Sequence, residues 1–226
     1  KIPKVLLIFF FALAVSTACK KDEPEQIQPD SSPVQQLTTD DNSLEGNLNA
    51  AFADVALVLS TATKMIDVPC GATLDSVVEQ QNKIYYYLTY DGPNCQETRY
   101  RTGKIQFKIK KQDNWWDKNT RVDVYFIDYE VTNVFDNSKT MTNGSADYTN
   151  VSGGIPALFG GWINTVIYRI MADFEITFDD DPTPRDWKLH KTMVYSGSPE
   201  NLQLAVNGFG NQQGQNNLMA WGTDRE

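Results

Sequence analysis

Few residues in this chain are equipped for chemistry. There is one histidine, His190, among 226 residues. A lone imidazole leaves little for a His-rich metal centre or for a Ser-His-Asp relay. No Gly-x-Ser-x-Gly, phosphate-binding glycine loop, His-Glu-x-x-His or Cys-x-x-Cys occurs. Ser152 precedes Gly153-Gly154 and reads as a loop serine. Asp128 and Glu130 form the most interesting carboxylate pair: two apart on a strand, they share a face, and two carboxylates across a sugar bond are what glycoside hydrolysis requires. They also share parity with Val124 and Phe126. The simpler expectation is that the strand leaves the core near residue 127 and exposes both. Asp179-Asp180-Asp181 offers oxygens but runs into Pro182 and lacks the spaced ligands and glycine of a calcium loop; it reads as an acidic hairpin turn. No catalytic residue, metal or cofactor is expected, and the chain is read as a non-enzyme.

Cysteine chemistry is better signposted. Lys1 and Lys4 make a positive start, residues 5–15 are continuously apolar, and Ser16-Thr17-Ala18 are small. This is the layout of a secretory signal peptide, too short to cross a ~30 Å hydrocarbon core as a helix. Cys19 follows the small residues directly. That position implies lipidation of its thiol, then cleavage, leaving residue 19 as an acylated N-terminus; each buried CH₂ of the acyl chains contributes about 0.8 kcal/mol to anchoring. Ser16 stands where Leu or Val is usual in such signals.

Cys70 and Cys95 flank two strand-like runs, 71–81 and 84–94. With Asn82-Lys83 as the central turn residues, Cys70 faces Cys95. Opposed residues lie ~4.5–5.5 Å apart at Cα, within disulfide range. An exported chain meets the oxidising conditions in which disulfides persist, and closing this loop stabilises by about 3.5 kcal/mol on the chain-entropy model.

Trp115-Trp116 lie among Asp113, Asn114, Asp117, Lys118 and Asn119. Adjacent strand residues point to opposite faces, so at least one indole is expected at the surface. An exposed indole beside amides and carboxylates suits stacking on sugar rings; core or edge packing is the plainer alternative. Trp162, Trp187, Trp221 and Tyr85-Tyr86-Tyr87 read as packing residues. Asp75-Ser76-Val77 matches a short pattern used for O-glycosylation.

The elements that must position these residues divide the chain in three. Residues 1–18 are the signal. Residues 19–43 are the lipid anchor and a tether, with Pro24, Pro29 and Pro33 among polar residues and no apolar period; such a coil reaches roughly 25–30 Å. Residues 44–226 are one β-rich domain. It opens with a helix over 44–62, where Leu44, Leu48, Ala51, Phe52, Val55, Leu59 and Ala62 share a face behind an N-cap at Ser43. From residue 72 the period becomes 2. Ile105, Phe107 and Ile109 alternate with polar residues, as do Val122, Val124 and Phe126, and the longest stripe runs Val166, Tyr168, Ile170, Ala172, Phe174, Ile176, Phe178. Turn signals every few residues favour antiparallel hairpins. The expected fold is mostly β: an antiparallel meander forming a barrel or sandwich, with one N-terminal helix.

Net charge is −9; loss of Lys1 and Lys4 with the signal takes it to −11. An acidic body repels phosphate backbones, so no nucleic acid partner is expected. Several stretches together resemble an uncharacterised family of Bacteroidota lipoproteins: Cys70-Gly71-Ala72-Thr73, Tyr90-Asp91-Gly92-Pro93-Asn94-Cys95, Arg101-Thr102-Gly103-Lys104-Ile105, Asn150-Val151-Ser152-Gly153-Gly154, Arg185-Asp186-Trp187 and Trp221-Gly222-Thr223-Asp224-Arg225. Lys20-Lys21-Asp22-Glu23 likewise resembles the run behind the lipid cysteine of surface-exported lipoproteins of that group. The resemblance implies an outer-membrane lipoprotein, facing outward and held to the membrane by its lipid. It implies a glycan or protein as ligand no more than it implies an activity, and carries no site residues. In proteins it resembles, further chain follows the Trp-Gly-Thr stretch, which implies a closing strand beyond Glu226.

Overall fold

The computed structural model describes residues 32–61, 66–156, 165–198 and 200–223. The signal region, Cys19 and Trp162 lie outside them. Helix α1 spans Ser32–Thr61, so it begins about three turns before the expected residue 44. Pro33 sits in its first turn, where a missing N–H goes unnoticed. Ser43 is therefore a helix-interior residue, and the expected boundary between tether and body falls inside the helix. The buried face is Leu44, Leu48, Ala51, Phe52, Val55, Val58 and Leu59.

The strands are β1 (Ala72–Gln80), β2 (Lys83–Pro93), β3 (Arg99–Lys110), β4 (Thr120–Asn133), β5 (Lys139–Asn150), β6 (Thr165–Phe178), β7 (Asp181–Ser198), β8 (Asn201–Gly208), β9 (Gly210–Gln212), β10 (Gln215–Leu218) and β11 (Ala220–Gly222). β1 to β7 pair antiparallel in chain order. The far side of β7 is shared: β11 pairs with residues 187–189 and β8 with 191–198. β9 and β10 form a separate small hairpin. This is the expected mostly-β antiparallel meander with one helix. The sheet does not close into a barrel: β1 stands at one edge, β8 and β11 at the other.

Alternation fixes the inner face. Tyr86, Leu88 and Tyr90, Ile105 to Ile109, Val122 to Phe126 and every second residue from Val166 to Phe178 are buried. α1 covers that face. Its residues Asp40 and Glu45 meet β7, Phe52 packs on Phe126 and Tyr148 at 5.9 and 5.1 Å between ring centroids, and Asp54 reaches β2 and β3. The helix thus crosses the sheet from β7 towards β2.

One bulge resets the inward parity. In β4 the register shifts between Phe126 and Tyr129, and Asp128 takes φ 47°. Before it the even residues face inward; after it Tyr129 and Val131 do. Gly103 on β3, at φ 88°, lies against the Asp128 carbonyl, where a Cβ would collide with it. The strand thus does not leave the core near residue 127: past the bulge Tyr129 and Val131 are buried again, while Asp128 and Glu130 face outward.

Candidate functional site

Three cations sit on the apolar parity of the sheet, and each meets a carboxylate from α1. Arg185 Nη1 donates to Asp40 Oδ2 at 3.2 Å, with both side chains at most 5% exposed; its Nη2 donates to Asp181. Lys191 Nζ, 0% exposed, donates to Glu45 Oε1 and Oε2 at 2.7 and 2.8 Å and to Asn49 Oδ1 at 2.6 Å. Arg101 Nη1 donates to Asp54 Oδ2 at 2.5 Å and its Nη2 to the Cys70 carbonyl. The Tyr90 hydroxyl donates to the same Asp54 oxygen at 3.1 Å. A charge leaves water at a cost of several kcal/mol unless it finds a partner, and these three find theirs on the one element that covers the sheet.

The surroundings tune them accordingly. Burial pushes Lys191 below the usual lysine range against the pull of Glu45 and Asp41. Burial pushes the Asp54 carboxyl up, with Arg101 and Tyr90 pulling back. Tyr90 is held well above the usual phenol range by burial and by Asp54, and burial pushes Tyr129 up to about 12. Each buried charge is locked to an opposite one, so what this arrangement does is dock α1 and fill the inner face. Sequence reasoning missed it. The signal was there: Arg185 and Lys191 share parity with Trp187, Leu189 and Met193, and Arg101 with Ile105 and Phe107.

Cys70 and Cys95 are joined, with Cα atoms 5.2 Å apart. The hairpin register differs from the expected one. Gln81 and Asn82, at φ 48° and 63°, make the turn, and Gln80 pairs with Lys83. Positive φ at both central residues is the twist a two-residue hairpin needs. A bulge at Asp75 then shifts the pairing again, and the disulfide closes beyond the ends of β1 and β2. Gly71 and Gly92 pack backbone to backbone beside it.

The tryptophan expectation is corrected. Trp115 is 1% exposed, stacked on Tyr168 at 5.4 Å and tilted against Tyr148 at 4.7 Å. Trp116 is half-buried and packs on the core. Neither is exposed, because residues 111–119 form turns, not a strand, and the opposite-faces rule does not apply to them. The loop is held from below by Asn150, 0% exposed, whose Nδ2 donates to the carbonyls of Trp115 and Gly154 while its Oδ1 accepts from the Gly153 N–H. Ser152 Oγ accepts from the Ile167 N–H, a structural task.

Asp128 and Glu130 lie on the outer face. The Asp128 N–H donates to Asn143, and Glu130 pairs with Lys139 at 3.2 Å. They do not face each other across a cleft. Asp181 caps the β6–β7 turn by accepting from the Thr183 N–H. Among the described residues, no group of three His, Cys, Asp or Glu side chains converges to hold a metal.

The outer face carries a shallow groove of about 390 Å³ across β4 to β7. Strand register builds it from two rows: Tyr125, Ser145, Asp173 and Lys188 lie side by side, as do Asp123, Asp147, Met171 and His190. Ser145 is the low point between Tyr125 and Asp173. Directly opposed Asp123 and Asp147 would repel; Arg121 bridges them at 3.2 and 2.5 Å, and Lys188 pairs with Asp173 at 2.5 Å. His190 stacks on Phe209 at 5.2 Å and meets the Trp221 edge at 4.8 Å. Partial burial and the nearby Lys188 charge lower its pKa. The groove is rich in hydrogen-bonding groups, sets Asp123, Asp147 and Asp173 against Arg121 and Lys188, and is walled by the half-buried Tyr125, whose ring lies under the Lys108 ammonium at 4.6 Å. It suits a polar ligand of low net charge. No family model, curated protein or solved structure matches the chain.

Proposed function

We propose that this chain is a lipid-anchored lipoprotein of the bacterial outer membrane, facing outward, whose β domain is a non-enzymatic binding or structural module. The anchor rests on the positive, apolar and small zones that end at Cys19. For the body, one observation carries the reading: α1 occupies the inner face, where an open sheet would hold a small ligand, and among the described residues each buried carboxylate, guanidinium and ammonium on that face is paired with an opposite charge. A partner therefore meets the outer face or the edges. The disulfide fits an exported setting. Metabolic labelling of the full chain with palmitate tests the anchor. Label in the wild type and none in Cys19→Ala is the expected result; equal label in both, or none in either, refutes it.

A second reading, glycan binding, is favoured by the outer groove rather than by the tryptophan pair. Tyr125 offers a ring edge beside Lys108, and Asp147, Asp173 and Lys188 offer hydrogen bonds around Ser145. On a glycan array, Tyr125→Ala is expected to abolish any saccharide signal while leaving the fold intact. A signal unaffected by that change would remove the groove from the reading.

A further inference from the structure

Among the described residues the sheet has two edges with no strand paired beyond them, and they are not alike. An unpaired edge strand is a template for another strand, and proteins that must stay single blunt it with charges, bulges or proline. β1 is blunted. It carries Asp75 and Glu79, is broken by a bulge at Asp75, and has Glu79 tied to Lys111. β8 has none of these devices. It pairs with β7 residue for residue from Ser198–Asn201 to Lys191–Gly208 without a shift, and among the described residues no strand pairs with its outer edge. Leu202 and Leu204 are 49% and 48% exposed. They lie opposite Gly197 and Tyr195 and so continue the inner-face row of Met193. From Asn201 to Thr223 the chain has no Asp, Glu, Lys or Arg, although 22% of its residues are charged.

We infer that the β8 edge is a self-association surface, and that its occupant is β8 of a second copy, paired antiparallel about a two-fold axis. Charge selects this occupant. Copies of a chain at −9 repel one another, and a two-fold contact sets each residue against its own kind or a near neighbour. On β1 that would oppose Asp75 and Glu79 with the same acids. On β8 it opposes Leu202 and Leu204 with leucines, and Asn201, Gln203 and Asn207 with amides that both donate and accept. The product is one sheet continuous through two copies, with four leucines gathered at the seam. This lies beyond the proposed anchoring and does not depend on it.

Cysteine cross-linking of the full chain exported in cells tests the surface. Gln203→Cys is expected to give a reducible band of twice the monomer mass, and Ser76→Cys, on the other edge, is expected to stay monomeric. Adding Leu204→Lys to Gln203→Cys places a like charge on both sides of the seam and is expected to remove the band. Unchanged resistance to protease shows that the double variant is folded. No dimer from Gln203→Cys overturns the inference. So does an equal band from Ser76→Cys, which marks random collision, or a band that survives Leu204→Lys. A reducible band of another mass, from capture of a different protein, also counts against the two-fold pairing.

Discussion

Replacing Lys191 by methionine removes one charge from the inner face and little volume. The wild-type ammonium is 0% exposed and has contacts of 2.6–2.8 Å to Glu45 and Asn49. Removing one partner of a buried ion pair costs about 3–5 kcal/mol, because the other charge is left unpaired. Glu45 is 21% exposed and regains some water, so the lower end applies, about 3 kcal/mol. In a domain of this size that is a fall in Tm of roughly 6–12 °C. Lys191→Met/Glu45→Leu removes both charges and is expected to recover most of the loss, since apolar replacement of a whole buried pair is often neutral. Urea unfolding of wild type, both single variants and the double gives the coupling energy, expected at about 2–3 kcal/mol. pH adds a signed check. Lys191 titrates below its unfolded value of 10.5, so in the window between the two the unfolded chain binds more protons. This group's contribution to stability therefore rises with pH there, and the methionine variant lacks that rise. A Lys191→Met stability within about 0.5 kcal/mol of wild type would falsify the docking role of the pair.

Other consequences are as direct. Burial pushes Tyr129 up to about 12 in the fold against 10.0 unfolded; its share of stability, on the order of 3 kcal/mol, is intact below pH 10 and lost as pH rises through 12. The buried phenols are expected to ionise together with the loss of circular dichroism above pH 10, and ionisation of all ten tyrosines in a chain that keeps its circular dichroism would contradict this. Gly103→Ala meets both a positive φ and the Asp128 carbonyl, so a loss of more than about 2 kcal/mol is expected by denaturant titration; a neutral result would mean that the bulge is absent. Replacing Cys70 and Cys95 by alanine is expected to cost about 3.5 kcal/mol, read from the urea midpoint. Trp115→Ala is expected to cost about 3–5 kcal/mol through lost packing; unchanged stability with lost glycan binding would return the ring to the surface.

What was legible in the sequence, and what was not, divides by range. The strands were legible because alternation is local: Val166 to Phe178 alternates inward on every second residue, and the structure buries those residues. The first turns of α1 were not, because residues 32–43 carry no apolar period. They are helical in a fold where Asp40 answers Arg185, far along the chain. The disulfide was reached through a register that the structure does not have; the flanking turns bring the sulfurs together despite the shift. Trp115 was misplaced because a strand rule was applied to a loop whose anchor, Asn150, comes from another hairpin. The stretches that carried the family resemblance prove to hold structural positions. Arg101 and Arg185 dock the helix, Gly103 admits the bulge, Asn150 holds the tryptophan loop, and Gly222 lies against the Asp186 carbonyl. A motif of that kind records how a chain folds, and this is why it gave no site.

The central claim is that α1 is part of the closed interior, so that function lies on the outer face and edges. Amide hydrogen exchange resolved along the chain tests it most directly. If α1 is docked as described, its amides over 44–59 open only with the sheet and exchange as slowly as those of β6 and β7, hours or more behind the β1 edge. Exchange of the 44–59 amides within minutes, with the sheet still protected, would mean that the helix leaves the inner face open, and the account would be wrong.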